Sequence, residues 1–462
     1  MKKRMLACVM FFLLLAGCQS MPMDLSVPSK EGMTIDDDYS SLPGDQKGDV
    51  SITTAEEMQL PNALTDLPHL INPLPSFQPL FLDSSTLIDK MTVIDRETGD
   101  RRIICNVSGC RHSREDNAIC FAATHIPTDG NIRALYKDKY VFDCRLRQSG
   151  GGVLGVVKLD GSGYREIYRW PSEVSTSNFS GEVLINGHLY FCMVEEKQGE
   201  PIVEEVEDEI HTYMNIESAE LCLYDLDFES EKVECLYRKH FDGDHDPYAY
   251  TVQYSDKRVL FGYRYKNKTL QDIGMSMTEY MEQSRLSLEN VLEIEKRFDV
   301  RYDTVIYDIE KRTAQVVEDA LEQRCLRAGF AGKAFYEVVT YDVSSITEVR
   351  VMDLQTKEIN RAETPWKIEY GSADFLIMRP DPPQGNDIWY MLTSDGVVRK
   401  GNFSSKGFYP LIQQEVPELL YVAWVPIGRD STSEEWEFEY IPRETFKALF
   451  SEIVDPIPGM SE

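Results

Sequence analysis

The sequence predicts an all-β fold of the β-propeller type, chiefly because one strand-and-turn pattern recurs along the chain. An alternating apolar strand ends on a polar turn at Thr92–Gly99 and is followed by a second strand at Arg102–Ile104. Asp can hydrogen-bond the backbone two residues further on, and Gly accepts the positive φ of a tight turn. The pattern returns at 156–163, 221–227, 305–311, 349–356, 388–396 and, in degenerate form, 436–442. Strand repeats of roughly 40–50 residues without an intervening helix are typical of propellers.

A second observation supports this fold, because a short apolar and aromatic run precedes most copies of the pattern. These runs lie at 139–142, 187–191, 257–261, 333–336, 374–378 and 418–424. Buried inner strands of a blade need this composition. We therefore predict a propeller over residues 78–450 with seven blades, followed by a C-terminal tail at 451–462. Pairing of the terminal stretch with an early strand would change the count to six or eight.

Composition and charge limit the possible partners. The chain has 462 residues and is 42% hydrophobic, which is enough for a packed core. Its formal net charge of −30 repels the phosphate backbone of nucleic acids and anionic lipid headgroups. We therefore expect no nucleic-acid partner, whereas cationic peptides, metal ions and neutral glycans are compatible with the charge.

The N-terminus has the pattern of an export signal. Basic residues at 2–4 precede an apolar run at 9–15 that is too short to span a bilayer. Leu15-Ala16-Gly17-Cys18 resembles the bacterial lipobox, at which processing lipidates the cysteine and cleaves the chain just before it. The pattern predicts a signal peptide at 1–17, lipidation of Cys18 and a flexible tether at 18–77. The expected location is extracytoplasmic, anchored to the bacterial cell membrane, and the alternative is an ordinary cleaved signal peptide.

Two insertions interrupt the repeats, each between a second and a third strand. The acidic run at 204–209, in blade three, is most simply a solvated loop. Residues 277–298, in blade four, have apolar residues near helical spacing, and Ser287 is placed to cap a helix. Insertions on one face of a repeat protein often line its binding side. They are the expected partner surface, and decoration without function is the alternative.

Four residues after the first pattern have the types and close spacing of metal ligands, namely Cys105, Cys110, His112 and Cys120. Three thiolates and an imidazole could form a closed tetrahedral site, which would make zinc structural rather than catalytic. In an exported protein the same thiols could instead form disulfides. Unpaired structural cysteines are the third possibility, and Cys192, Cys222 and Cys235 fit that role within strand-like runs.

These residues also resemble a family motif. Lipid-anchored, propeller-like proteins of Gram-positive anaerobes often carry C-x-D-P-x-C-x-H followed by a further Cys and a small residue. The chain is similar at Cys105, Cys110, His112 and Cys120-Phe121-Ala122, and has Val107-Ser108 in place of Asp-Pro. The resemblance implies a fold and a location and supplies no activity.

The remaining motifs assign no catalytic residues. Asp242–Asp246 resembles the start of a calcium loop, but Pro247 replaces the required Gly, so a polar loop between blades is the expected interpretation. Common nucleophile, metalloprotease and phosphate-loop motifs are absent from the sequence. We expect a binding or scaffolding module with an envelope protein, peptide or glycan as partner. The alternative is an extracellular glycan- or peptide-directed hydrolase or lyase that uses acidic residues at the propeller channel.

Overall fold

The structure is a computed structural model, and it describes only part of the chain. The described residues are 152–158, 162–206, 209–317, 324–338, 348–361, 366–372, 374–380, 388–403, 408–415, 419–426 and 437–454. Residues 105, 108 and 110 and the backbone of strands between 80 and 145 are also described. The predicted signal peptide and tether, including Cys18, lie outside this part.

Within the described part of the chain, the strands form seven antiparallel sheets and one separate hairpin. The first two sheets contain β1 (Leu80–Phe81), β2 (Thr86–Asp89), β3 (Thr92–Asp95) and β4 (Arg101–Ile103), then β5 (Asn131–Tyr136), β6 (Lys139–Arg145), β7 (Gly152–Lys158) and β8 (Arg165–Arg169). The third sheet contains β9 (Val174–Ile185), β10 (His188–Gln198), β13 (Ile216–Asp227) and β14 (Lys232–Asp242). The separate hairpin is β11 (Ile202–Val206) and β12 (Glu209–Tyr213).

The remaining sheets follow in chain order. The fourth and fifth contain β15 (Tyr248–Ser255), β16 (Arg258–Lys266), β17 (Val300–Asp308) and β18 (Thr313–Val317), then β19 (Arg324–Phe330), β20 (Lys333–Val338), β21 (Val349–Asp353) and β22 (Ile359–Arg361). The last two contain β23 (Trp366–Gly371), β24 (Phe375–Pro380), β25 (Ile388–Thr393), β26 (Val398–Asn402) and β30 (Glu452–Val454), then β27 (Phe408–Glu415), β28 (Leu419–Pro426) and β29 (Glu437–Pro442). The described helices are α1 (Leu270–Ile273), α2 (Met277–Leu286), α3 (Leu288–Phe298) and α4 (Arg443–Ala448).

The sheets pack as blades of a β-propeller, which confirms the predicted fold class, while the number of blades stays a prediction. The strands of each sheet pair in meander order, and first strands of successive sheets lie side by side, as β9, β15, β19 and β23 do. This contact sets the sheets around a common axis, with the later strands on the outside. Apolar side chains fill the space between neighbouring sheets, and Leu154 of the second sheet packs in one cluster with Phe191 and Tyr224 of the third.

The recurring pattern forms the third strand of each sheet, and in the described turns that follow β13, β17, β21 and β25 its Asp closes the turn as predicted. Asp353 Oδ1 accepts hydrogen bonds from the backbone N–H groups of Gln355, at 2.8 Å, and Thr356, at 2.7 Å. Asp308 accepts in the same way from Lys311, at 2.9 Å. The Thr356 and Gln355 amides hold the pKa of Asp353 below its usual range, because they stabilise the ionised carboxylate.

The first strand of a sheet has one edge whose backbone groups are not paired with another strand. Side chains of the preceding sheet supply hydrogen-bond partners for some of these groups. The Leu326 N–H donates to the Tyr250 hydroxyl at 3.0 Å, across the boundary between the fourth and fifth sheets. The Ile368 N–H donates to Glu337 Oε1 at 2.7 Å, across the next boundary. Leu326 and Ile368 each precede a register shift in the first strand. A bulge turns backbone donors out of the ladder, so each needs a partner elsewhere.

Two glycines allow this close approach. A Cβ on Gly262 would lie 2.5 Å from the Tyr250 ring, and one on Gly371 would lie 2.5 Å from the Arg327 carbonyl oxygen of the neighbouring sheet. Contacts this short would displace the Tyr250 ring or push two first strands apart. Both positions therefore require glycine because there is no room for a Cβ, and not because of the backbone freedom of glycine.

The C-terminal residues contribute structure beyond the predicted boundary at 450. β30 pairs with β26, so part of the stretch expected as a tail is the fifth strand of the sixth sheet. Helix α4 connects β29 to it, and Arg443 and Lys447 each lie 2.7 Å from an Asp374 carboxylate oxygen. These ion pairs and the buried Phe446 attach the end of the chain to the last two sheets.

We expect Tyr250→Phe to lower the free energy of unfolding by about 1–3 kcal/mol, because it leaves the Leu326 N–H without its acceptor. The measurement is denaturant unfolding. Tyr254→Phe, on the same strand, is the control and should change stability by less than about 0.5 kcal/mol. Equal effects of the two substitutions would contradict this role of the Tyr250 hydroxyl.

Candidate functional site

The two insertions lie on the same face of the propeller. The hairpin of β11 and β12 connects β10 to β13, and the helices α1–α3 connect β16 to β17. Both connections therefore join a second to a third strand, as predicted, and in a meander such connections occur at the same end of every sheet. The acidic run forms part of an ordered hairpin rather than only a solvated loop.

The insertions bind each other through Glu204. Its carboxylate accepts hydrogen bonds from the backbone N–H groups of Met277 and Thr278, both at 2.9 Å, and from the Thr278 hydroxyl at 2.6 Å. Tyr213, on the other hairpin strand, lies 2.8 Å from the same hydroxyl. The carboxylate thus occupies the N-terminus of α2, where unpaired N–H groups and the helix dipole favour negative charge. Burial raises the pKa of Glu204, but these hydrogen bonds outweigh it and hold the pKa below its ordinary value.

The helical insertion has its own small core. Met275, Ile294 and Phe298 are buried together with Val300 at the start of β17. The Ser287 hydroxyl accepts from the Asn290 N–H at 3.1 Å, which confirms the predicted cap. The stretch 277–298, predicted as one helix, is nevertheless two helices, because Ser287 ends α2 in an extended conformation before it caps α3; the short α1 precedes them.

The loop that resembles a calcium site, Asp242–Asp246, lies beside the positively charged side chain of Lys266. The Lys266 ammonium lies 3.3 Å from Asp246 and within 5.2 Å of the ring centres of Tyr280 and Phe298. Burial alone would lower the pKa of Lys266, but the Asp246 and Asp244 carboxylates raise it above its usual value. This internal cation neutralises the loop and connects it to the helices, in agreement with the expected polar loop between blades.

The hairpin presents its other face to solvent. Successive residues of a strand point to opposite faces of the hairpin, and their exposure to solvent alternates in the same way. Glu204 and Tyr213 are half-buried on the face toward α2. Val203 is 64% exposed, Ile210 74% and Met214 64%. The carboxylate of Glu205 is exposed on the same face. Large aliphatic side chains with this exposure, grouped on one small sheet, are typical of an interaction surface.

A second polar cluster lies within the third sheet. Among the described residues, the one group of Cys, His, Asp and Glu with ligand atoms close enough for a metal ion is Glu195, Glu220 and Cys222, within 4.8 Å of one another. Arg238 pairs with both carboxylates, at 3.2 Å from Glu195, and so supplies the positive charge they require. Glu195 also accepts a hydrogen bond from Trp170, at 3.2 Å. Because these protein groups already satisfy the carboxylates, we interpret the cluster as an ion-pair network within the third sheet, joined to the second sheet by the Trp170 hydrogen bond.

The predicted cysteine site is only partly described. Cys105 and Cys110 are half-buried, and His112 and Cys120 lie outside the described residues. Structural zinc and disulfides therefore stay predictions here. Cys192 and Cys222 are fully buried in strands, as expected for small core residues, and Cys222 shares a hydrogen bond with Cys235 that lowers the Cys235 pKa.

Other buried charges are paired in the same way. Glu337 lies 2.7 Å from Arg327, and Asp303 lies 3.2 Å from Lys239 of the preceding sheet. Glu369 contacts both Lys367 and Arg379. These positions were not singled out from the sequence, because the pairs Arg327–Glu337, Lys239–Asp303 and Glu369–Arg379 each join different strands; Lys367 and Glu369 lie on the same strand, β23. No helix in the described part of the chain has the length and apolar composition needed to cross a membrane.

Comparisons with known proteins assign no family. No family model matches the chain, and neither does any curated protein. Solved structures with a similar fold include the β-propeller domain of the Trilobed protease from Pyrococcus furiosus, at 10% identity over 81% of this chain and 88% of that chain, with a TM-score of 0.35. TolB from Acinetobacter baumannii matches at 10% identity, over 79% and 77% of the two chains, with a TM-score of 0.26. An oligogalacturonate lyase in complex with manganese matches at 10% identity, over 77% and 83%, with a TM-score of 0.35. At these values the likeness concerns the fold alone.

We expect Glu204→Ala to weaken the contact between the insertions and to speed hydrogen exchange at the Met277 and Thr278 amides by roughly fivefold. This corresponds to a decrease of about 1 kcal/mol in the free energy of local opening. The pH dependence has a defined sign, because the folded-state pKa of Glu204 is lowered. The contact contributes its full stabilisation at pH values above the ordinary glutamate pKa of 4.5. This stabilisation is lost as the pH falls through the lower pKa that Glu204 has in the folded state.

Hydrogen exchange measured by mass spectrometry checks this expectation. Glu205→Ala is the matched control, because it removes the same charge from the opposite face of the hairpin. Faster exchange at α2 in both variants would point to charge alone and contradict the capping contact.

Proposed function

We propose that this chain is a lipid-anchored, extracytoplasmic β-propeller that binds or scaffolds a partner through the face formed by its two insertions. The observation that carries the proposal is the contact between Glu204 and α2, which joins insertions from adjacent sheets into one surface. That surface exposes aliphatic side chains from a rigid base. The lipobox-like sequence ending at Cys18 supports the anchor, and the net charge of −30 favours a partner other than nucleic acid.

The proposal includes membership of the propeller-like lipoproteins of Gram-positive anaerobes. Its support is the combination of the lipobox, the repeats and the spacing of Cys105, Cys110, His112 and Cys120. A structural zinc ion held by these four residues would be part of that proposal. Metal analysis of protein purified without chelator, with Cys110→Ser as the comparison, is the check on it.

Four described carboxylates within the sheets do not favour the hydrolase or lyase alternative. A general acid or base needs access to substrate and a pKa suited to proton transfer. Glu195, Glu337 and Asp303 are instead buried, the side chain of Glu369 is 9% exposed, and Arg or Lys holds all four. We therefore assign no catalytic residues and keep binding as the proposed function.

The anchor is tested by feeding cells an alkyne-tagged fatty acid and measuring label on the chain. We expect labelled wild-type protein and unlabelled Cys18→Ser, because lipidation requires this thiol. An unlabelled wild type, or label that persists in the variant, would overturn the lipid anchor.

The binding role is tested by cross-linking in the native envelope. Gly199 donates to the Asn215 carbonyl at 2.9 Å, so the base of the hairpin closes without its tip. Replacing residues 200–214 by Asn-Gly should keep the melting temperature of the propeller within a few degrees and abolish cross-links to the main partner. Retention of the same partner by the shortened chain would refute binding through this face.

A further inference from the structure

The exposed face of the hairpin has a chemical pattern that selects one kind of partner. Val203 and Glu205 are neighbours along β11 on this face. Thr212 and Ile210 lie directly opposite them on β12. An aliphatic and an acidic group thus lie about 7 Å apart along β11, and Ile210 lies directly opposite the acidic group on β12. A complementary surface must supply apolar contact and positive charge at the same spacing.

Charge strengthens this requirement. The insertion of residues 199–215 contains six Asp or Glu residues and neither Lys nor Arg. The helical insertion, residues 267–299, contains seven acidic and four basic residues. The net charge of both insertions is therefore negative, and the hairpin face attracts cations over about 8–10 Å at physiological salt. It also repels a second copy of this chain and an anionic lipid surface.

We propose that this face binds an extended, basic segment of a partner protein in which aliphatic and Lys or Arg side chains alternate at every second residue. An extended chain has the same side-chain period as the hairpin, so its aliphatic groups meet Val203 and Ile210 while its cations meet Glu205. Neutral glycans are a poorer match, because they offer no positive charge. The inference rests on the proposed function and names the class of its partner.

The test uses a fluorescent 16-residue peptide of four Val-Ser-Lys-Ser units and the full chain, with binding measured by anisotropy. We expect saturable binding that weakens at least fivefold for the double variant Val203→Ser/Ile210→Ser and two- to threefold for Glu205→Gln. Raising the salt from 0.05 to 0.5 M should weaken binding further, because the charges are exposed. A peptide with Glu in place of Lys should not bind.

Two controls separate this binding from general electrostatic attraction. Ile453→Ser removes an isoleucine that is 66% exposed, away from the insertions, and should bind like the wild type. A Ser-Ser-Lys-Ser peptide keeps the charge without the aliphatic groups and should bind at least fivefold more weakly. Equal affinity for the two Lys peptides, no effect of the double variant, or no binding would overturn the inference.

Failure of the inference is distinguishable from failure of the proposed function. If the hairpin-shortened chain loses its native partner but the wild type does not bind the Val-Ser-Lys-Ser peptide, the face binds a partner of other chemistry and only the inference is wrong. If the native partner is retained without the hairpin, the proposed function is wrong as well. Thermal melting of each variant confirms that the substituted, exposed positions leave the propeller folded.

Discussion

The structure depends on satisfying the backbone donors at the inner edges of its sheets. A first strand has one edge without a paired strand, and its register shifts turn N–H groups such as that of Leu326 toward the neighbouring sheet. Buried donors of this kind are costly unless they find an acceptor. Tyr250 and Glu337 supply acceptors from the preceding sheet, and Gly262 leaves room for the tyrosine ring. The blades are consequently held together by specific polar contacts as well as by the apolar layers between them.

The proposed binding face depends on that rigidity. The third and fourth sheets are tied by the Lys239–Asp303 pair, and the insertions that extend from them are tied by Glu204 at the start of α2. Lys266 adds an internal cation beneath the helices, in contact with Asp246. Insertions fixed at several points can present exposed aliphatic groups with little loss of conformational entropy on binding, which favours a recognition role.

Several charged residues inside the described blades have a structural role. Glu195 accepts hydrogen bonds from Trp170 of the preceding sheet and pairs with Arg238. Such a carboxylate is stabilised where it is, and removing its partner would leave a buried charge uncompensated. The same holds for Glu369 with its two cations. The charges within the described blades therefore account for cohesion between strands and sheets, and the exposed charges of the insertions belong to the proposed binding face.

The sequence by itself determined the features that depend on neighbouring residues. Strand periodicity and turn chemistry predicted the third strands that end at Asp308 and Asp353, and a local cap predicted the start of α3 at Ser287. The tertiary structure decided what depends on residues far apart in the chain. Glu204 and Thr278 are separated by 74 residues, so no local pattern identifies their contact. The contact of Tyr250 with Leu326, between two sheets, and the pairing of β30 with β26, within one sheet, likewise join residues far apart in the chain. Burial and hydrogen bonding select these arrangements among many with the same local sequence.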